Sequence, residues 1–179
     1  MRIVAIDPGS EESAVLTFSM TEQRPAMSET GILPNNSVLD ALRDYRYGGG
    51  PRLAIEMVGS YGMPVGRTTM DTLVWIGRFV ETWGGRYELV PRRQQWGGAA
   101  SGVYGKEGKH EGVCMALCGT TRAKDSNIRQ ALIDRFGPGK ERAIGTKKSP
   151  GPLFGIKTHL WAALAVAVTV ADAMEKHNA

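Results

Sequence analysis

The chain has 179 residues, a length that suits a single domain (1–179), and its 42% hydrophobic and 22% charged residues exclude a disordered segment. Two cysteines exclude a disulfide framework, no signal peptide is visible, and the longest apolar run (160–171) falls short of the ~20 residues a bilayer span needs, so a cytoplasmic protein without membrane contact is expected. The net charge of +4 is unevenly spread: residues 1–83 carry 7 basic and 10 acidic side chains, residues 84–148 carry 13 and 6, and such a basic middle segment suits a phosphate-backbone ligand.

Residues 2–6 (RIVAI) are β-branched and apolar, which predicts a buried strand broken by the turn Asp7-Pro8-Gly9-Ser10. Residues 13–19 (SAVLTFS) read as a second strand and 29–33 as the end of a third. So tight a turn makes the first two an antiparallel hairpin. Residues 35–45 predict a helix with Val38, Leu39 and Leu42 on one side, capped by Asn35 or Asn36. Gly48-Gly49-Gly50-Pro51 ends it, and a strand over 52–58 (RLAIEMV), a helix over 69–82 and a strand over 86–90 follow. The glycine- and lysine-rich stretch 96–119 has no clean period and reads as a loop with a helical piece near 111–117. Residues 124–136 predict an amphipathic helix with Ile128, Leu132 and Phe136 on one face, stopped by Gly137-Pro138. A basic linker over 139–152 precedes a helix over 156–176 that is too apolar for a surface and should pack centrally against the sheet. Hairpin strands followed by strand–helix alternation predict a mixed sheet flanked by helices.

Three residues stand out chemically. Asp7 ends a buried strand, where an unpaired charge is costly and a bound cation would compensate it; the bland alternative is an acid that merely opens a turn. Glu56 lies between apolar neighbours in Ala54-Ile55-Glu56-Met57, which points to a strand buried on both faces. Two carboxylates at the ends of two such strands suit Mg²⁺ or Mn²⁺, and paired cations of this kind clamp a phosphodiester undergoing hydrolysis. His159, in the first turn of the last helix, is the candidate third member, as a metal ligand or as a general base. His110, Cys114 and Cys118 recur at a spacing of four, but three ligands make a poor structural zinc site, and core cysteines are expected.

These blocks carry a resemblance. Ile6-Asp7-Pro8-Gly9-Ser10 is similar to the first-strand signature of RuvC-type Holliday junction resolvases, Ala54-Ile55-Glu56 to their second acidic strand, and His159 through Ala167 (HLWAALAVA) to the opening of their final catalytic helix. Residues 123–132 resemble the helix after their DNA-facing loop, and phage-encoded members are the nearer likeness. The resemblance implies an RNase H-like fold with a mixed five-stranded sheet flanked by helices. It also implies a divalent-metal-dependent endonuclease, using Mg²⁺ or Mn²⁺ held by Asp7, Glu56 and His159, that acts on four-way junctions as a homodimer. It further implies a wedge at Tyr61 or Met63 in the loop after the second acidic strand. Arg92, Arg93, Lys106, Lys109 and Lys124 are candidate phosphate contacts from the basic segment. The chain departs from the family at Ala162, where a second acidic ligand is usual on the final helix. Two alternatives therefore stand beside the resolvase: a junction-binding protein of weak or no activity, and an RNase H-like nuclease acting on flaps or forks. An actin-like kinase is excluded, since that class needs a second glycine-rich phosphate loop and a much longer chain.

Overall fold

The computed structural model describes residues 2–21, 24–45, 51–59, 64–93 and 112–178. Five strands form one mixed sheet: β1 (Arg2–Asp7), β2 (Glu12–Thr21), β3 (Arg24–Pro34), β4 (Arg52–Met57) and β5 (Tyr87–Pro91), in the order β3-β2-β1-β4-β5. The first three are an antiparallel meander, while β4 and β5 extend the sheet in parallel from β1. Parallel neighbours need crossovers, and α1 (Asn35–Tyr45) and α2 (Arg67–Trp83) supply them.

β1 and β4 are buried on both faces, which is why they read as near-continuous apolar runs. Their alternate residues feed two cores. Val4, Ile6, Leu53 and Ile55 pack with α1 and α2, whereas Ile3, Ala5 and Ala54 pack with α6 (Leu160–Asn178). Residues 163–171 of α6 are all buried, as expected of a helix apolar all round. Its small residues Ala163, Ala165 and Ala167 are buried, which lets the surrounding elements approach it closely. α3 (Val113–Cys118) and α4 (Asp125–Phe136) close over the same side, with Arg135 of α4 donating to both carboxylate oxygens of Asp172 at 2.6 and 2.5 Å. The mixed five-stranded sheet flanked by helices is the fold expected from the sequence.

Two local differences have physical causes. The last helix begins at Leu160 rather than near residue 156, because Thr158 takes φ 40°, a value no right-handed helix passes through. The segment 139–152 is more than a linker: it carries α5 (Lys140–Ala143), whose Ala143 is fully buried, as is Leu153 just after the segment. The four-residue run lacks a long apolar period, so only its tertiary packing makes it an element.

Candidate functional site

Strand alternation decides where the two acids point. Asp7 shares the face of Ile3 and Ala5, and Glu56 shares that of Ala54, so both project toward the side covered by α6. Ile6 pairs with Ile55 in parallel register, which puts Asp7 and Glu56 at the next rung of neighbouring strands. Such strands lie ~4.8 Å apart, and the two carboxylates share one site at the C-terminal edge. Glu56 is only 8% exposed.

The turn after Asp7 is clamped by buried polar groups. Ser13 Oγ donates to Asn35 Oδ1 at 2.6 Å, Asn35 Nδ2 donates to the Gly9 carbonyl at 2.9 Å, and the Gly9 N–H donates to Ser13 Oγ at 3.2 Å. Glycine is needed here, since a Cβ on residue 9 would stand 2.3 Å from the Glu12 carbonyl oxygen.

His159 arrives from the other end of the chain. Its carbonyl accepts the Ala163 N–H at 3.2 Å, so it is the N-cap residue of α6 rather than a member of its first turn. Its Nδ1 lies 3.1 Å from Asp7 Oδ2. The preceding Thr158 is a β-branched residue at positive φ, an outlier of the kind that costs about 1–3 kcal/mol and is often found beside functional groups.

β5 adds a residue of the opposite sign. Val90 pairs with Glu56 and faces the α6 core, and Arg92, two residues further, falls on the same side. Arg92 Nη1 donates to Glu56 Oε1 at 3.1 Å, and its Nη2 donates to Asp125 Oδ1 at the first turn of α4. Asp125 also suits that position because a helix N-terminus favours negative charge.

The electrostatics reflect this crowding. Burial, then the charge of Asp7, push the Glu56 carboxyl up to about 7, against the opposing pull of Arg92. Burial likewise raises Asp7 above the usual carboxylate range, although His159 opposes it. For Arg92 burial works against the charge, but Glu56 and Asp125 outweigh it and hold its pKa above the ordinary value.

The structure thus brings Asp7 and His159 into contact and sets Glu56 beside Asp7. Among the described residues no three His, Cys, Asp or Glu side chains are grouped so that they could hold a metal ion, and Glu56 is engaged with Arg92. Arg92, expected as a phosphate contact, is an ion-pair partner inside the site. Arg93 and Lys124 are exposed at its border, while Tyr61, Met63, Lys106, Lys109 and His110 lie outside the described residues. Ala162 sits half-buried in the first turn of α6. Cys114 is fully buried with its Sγ 3.6 Å from the Ala123 carbonyl oxygen, a core residue. Sequence reasoning missed Asp125, whose signal is ambiguous because an acid at a helix start is common on electrostatic grounds alone.

No family model matches the chain, and no curated protein matches it. Solved structures do. A Thermus thermophilus RuvC structure superposes with a TM-score of 0.61 over 96% of this chain and 93% of its own, at 14% identity. The T. thermophilus RuvC complex with a Holliday junction substrate superposes at 0.57, with the same coverage and identity. The fold is RuvC-like, an RNase H-like arrangement.

Proposed function

We propose that this chain is a divalent-metal-dependent endonuclease that resolves four-way DNA junctions by symmetric phosphodiester hydrolysis. One observation carries the reading: the half-buried carboxylate of Asp7 and the buried one of Glu56 stand side by side on neighbouring parallel strands, with His159 bonded to the first, on a RuvC-like fold. The T. thermophilus relative whose structure contains a Holliday junction supports branched DNA as the substrate class.

The donor set suits Mg²⁺ or Mn²⁺, with hard oxygens from Asp7 and Glu56 and an imidazole from His159. The upward shift at both carboxyls marks negative charge that is under-compensated, a deficit that a cation removes. When bound, such an ion polarises a phosphodiester and acidifies water. Ionised Asp7 can only accept a hydrogen bond, so it would fix the His159 hydrogen on Nδ1 and leave the Nε2 lone pair free. The His159 side chain is 72% exposed, which opens Nε2 to the cation or to the proton of an attacking water. Arg93, Lys124, Lys106 and Lys109 hold the phosphate backbone, and Tyr61 or Met63 serves as the wedge that opens the junction arms.

Symmetric nicks across a junction need two sites, hence a homodimer. The outer face of α2 supports self-association: Met70, Leu73 and Val74 are exposed at helical spacing, on the side opposite the buried Thr72, Ile76, Phe79 and Trp83. A second reading, a junction binder that cuts weakly or not at all, is favoured by Ala162, which offers no carboxylate one turn into α6.

The test is incubation of labelled four-way, flap, fork and duplex DNA with and without Mg²⁺ or Mn²⁺. Paired symmetric nicks in the four-way junction that need the metal and vanish in Asp7→Asn are expected. Binding without cleavage at any metal concentration overturns the nuclease reading in favour of the binder. Cleavage confined to flaps or forks changes the substrate.

A further inference from the structure

We infer that Arg92 is a built-in counter-ion that a divalent cation must displace from Glu56, and that the displaced guanidinium, still tethered by Asp125, then meets the DNA phosphate. The inference rests on the proposed metal site and concerns how that site is loaded. Glu56 is buried in a strand whose flanking residues are apolar, so once ionised in the metal-free protein it needs a positive partner. Arg92 is that partner, at 3.1 Å.

The guanidinium is a planar fork with donors on two arms. Here its arms are divided between unlike carboxylates. The inner arm reaches Glu56, and the outer arm reaches Asp125, whose side chain is 89% exposed. A cation that claims Glu56 therefore breaks one arm and leaves the other. The arginine then turns outward on its Asp125 anchor, toward solvent, where a phosphate can reach it. Arg92 then takes a second partner of the same sign as the one it left, and the site gains substrate affinity only once loaded.

The two effects of removing Arg92 have opposite signs, which separates this role from a merely structural one. Calorimetric titration of Mn²⁺ into the full-length, chelator-stripped protein at mildly alkaline pH compares wild type, Arg92→Gln and Asp7→Asn. Loss of a competing positive charge should tighten Mn²⁺ binding by Arg92→Gln on the order of tenfold, the low end of what one neighbouring charge does to a carboxylate. Junction cleavage by the same variant should nonetheless fall. Asp7→Asn should lose Mn²⁺ binding. Equal or weaker binding by Arg92→Gln, with binding lost in Asp7→Asn, overturns the counter-ion and leaves the metal site standing. No binding by wild type, or undiminished binding by Asp7→Asn, overturns the metal site and the inference with it.

A second measurement reads the wild-type protein directly. The Arg92 guanidinium resonance, assigned by its absence in Arg92→Lys, should be protected from solvent exchange without metal, lose protection when Mg²⁺ is added, and regain it with chelator. A resonance that stays protected at saturating Mg²⁺ overturns the displacement.

Discussion

Glu56 holds a proton to about pH 7 in the folded metal-free protein, through burial first and the charge of Asp7 second, against an ordinary value of 4.5. Between those two values the unfolded chain binds fewer protons than the folded one, so stability falls as pH rises across that window and levels off above it. The shift corresponds to on the order of 3 kcal/mol. Asp7 is raised as well and contributes with the same sign. In urea unfolding of chelator-treated protein across this range, Glu56→Gln should flatten most of the fall; an unchanged pH slope would place the titrating group elsewhere. Thr158 presents a different residue-scale tension, since its β-branched side chain sits at φ 40° next to His159. Thr158→Gly should stabilise the fold by about 1 kcal/mol in denaturant titration, whereas Thr158→Ala, which keeps a Cβ, should recover much less. Equal stabilities of the two would show that the backbone there is relaxed.

At the scale of elements, the site depends on how strand ends are anchored. Asn35 begins α1, yet its side chain and backbone N–H reach across to Gly9, Ser13 and Glu11, fastening the helix start to the turn that follows Asp7. Asn35 is 1% exposed, so its truncation leaves buried polar partners unsatisfied. Asn35→Ala should cost roughly 2 kcal/mol, within the usual range for such groups. Cleavage should fall further than stability explains, because the turn positions Asp7. A variant that loses stability but keeps full turnover under folding conditions would show the clamp to be purely structural. α6 makes the complementary arrangement: its buried middle holds the helix against the sheet, while its exposed N-cap delivers His159 to Asp7.

At the scale of the molecule, the basic segment 84–148 is not all available to DNA. Arg135 is committed to Asp172, Arg129 lies over the Trp161 ring at 4.6 Å, and Arg92 is held by Glu56 and Asp125 until a cation releases it. Alanine at Lys106, Lys109 and Lys124 together should flatten the dependence of log K for junction DNA on log salt by about one unit for each lysine that touches a phosphate. Parallel slopes for wild type and variant would move the DNA path elsewhere. The outer stripe of α2 carries the assembly reading. A double variant, Leu73→Glu and Val74→Glu, alters exposed positions and should leave the monomer folded while abolishing the dimer in sedimentation velocity. Junction products should then be single nicks rather than symmetric pairs. A variant that still sediments as a dimer would place the interface on another face.

Periodicity, turn chemistry and burial made most of the architecture legible from the residues alone. Apolar runs at 2–6 and 52–58 mark strands buried on both sides, the helix over 35–45 has the bounds its pattern predicts, and an acid among apolar neighbours singles out Glu56. These are local properties, set by side-chain period and conformational preference within a few residues. The pairing of Arg92 with Glu56 spans 36 residues and that of His159 with Asp7 spans 152, and no local pattern encodes either. They exist because parallel register aligns the ends of β1, β4 and β5, and because α6 packs its apolar length beneath them and brings its N-cap to the same edge. Asp125 joins the site for the same reason, through the position of α4 against α6. What the sequence determines by itself is which groups are costly to bury; which of them compensate one another is decided only when distant elements pack together.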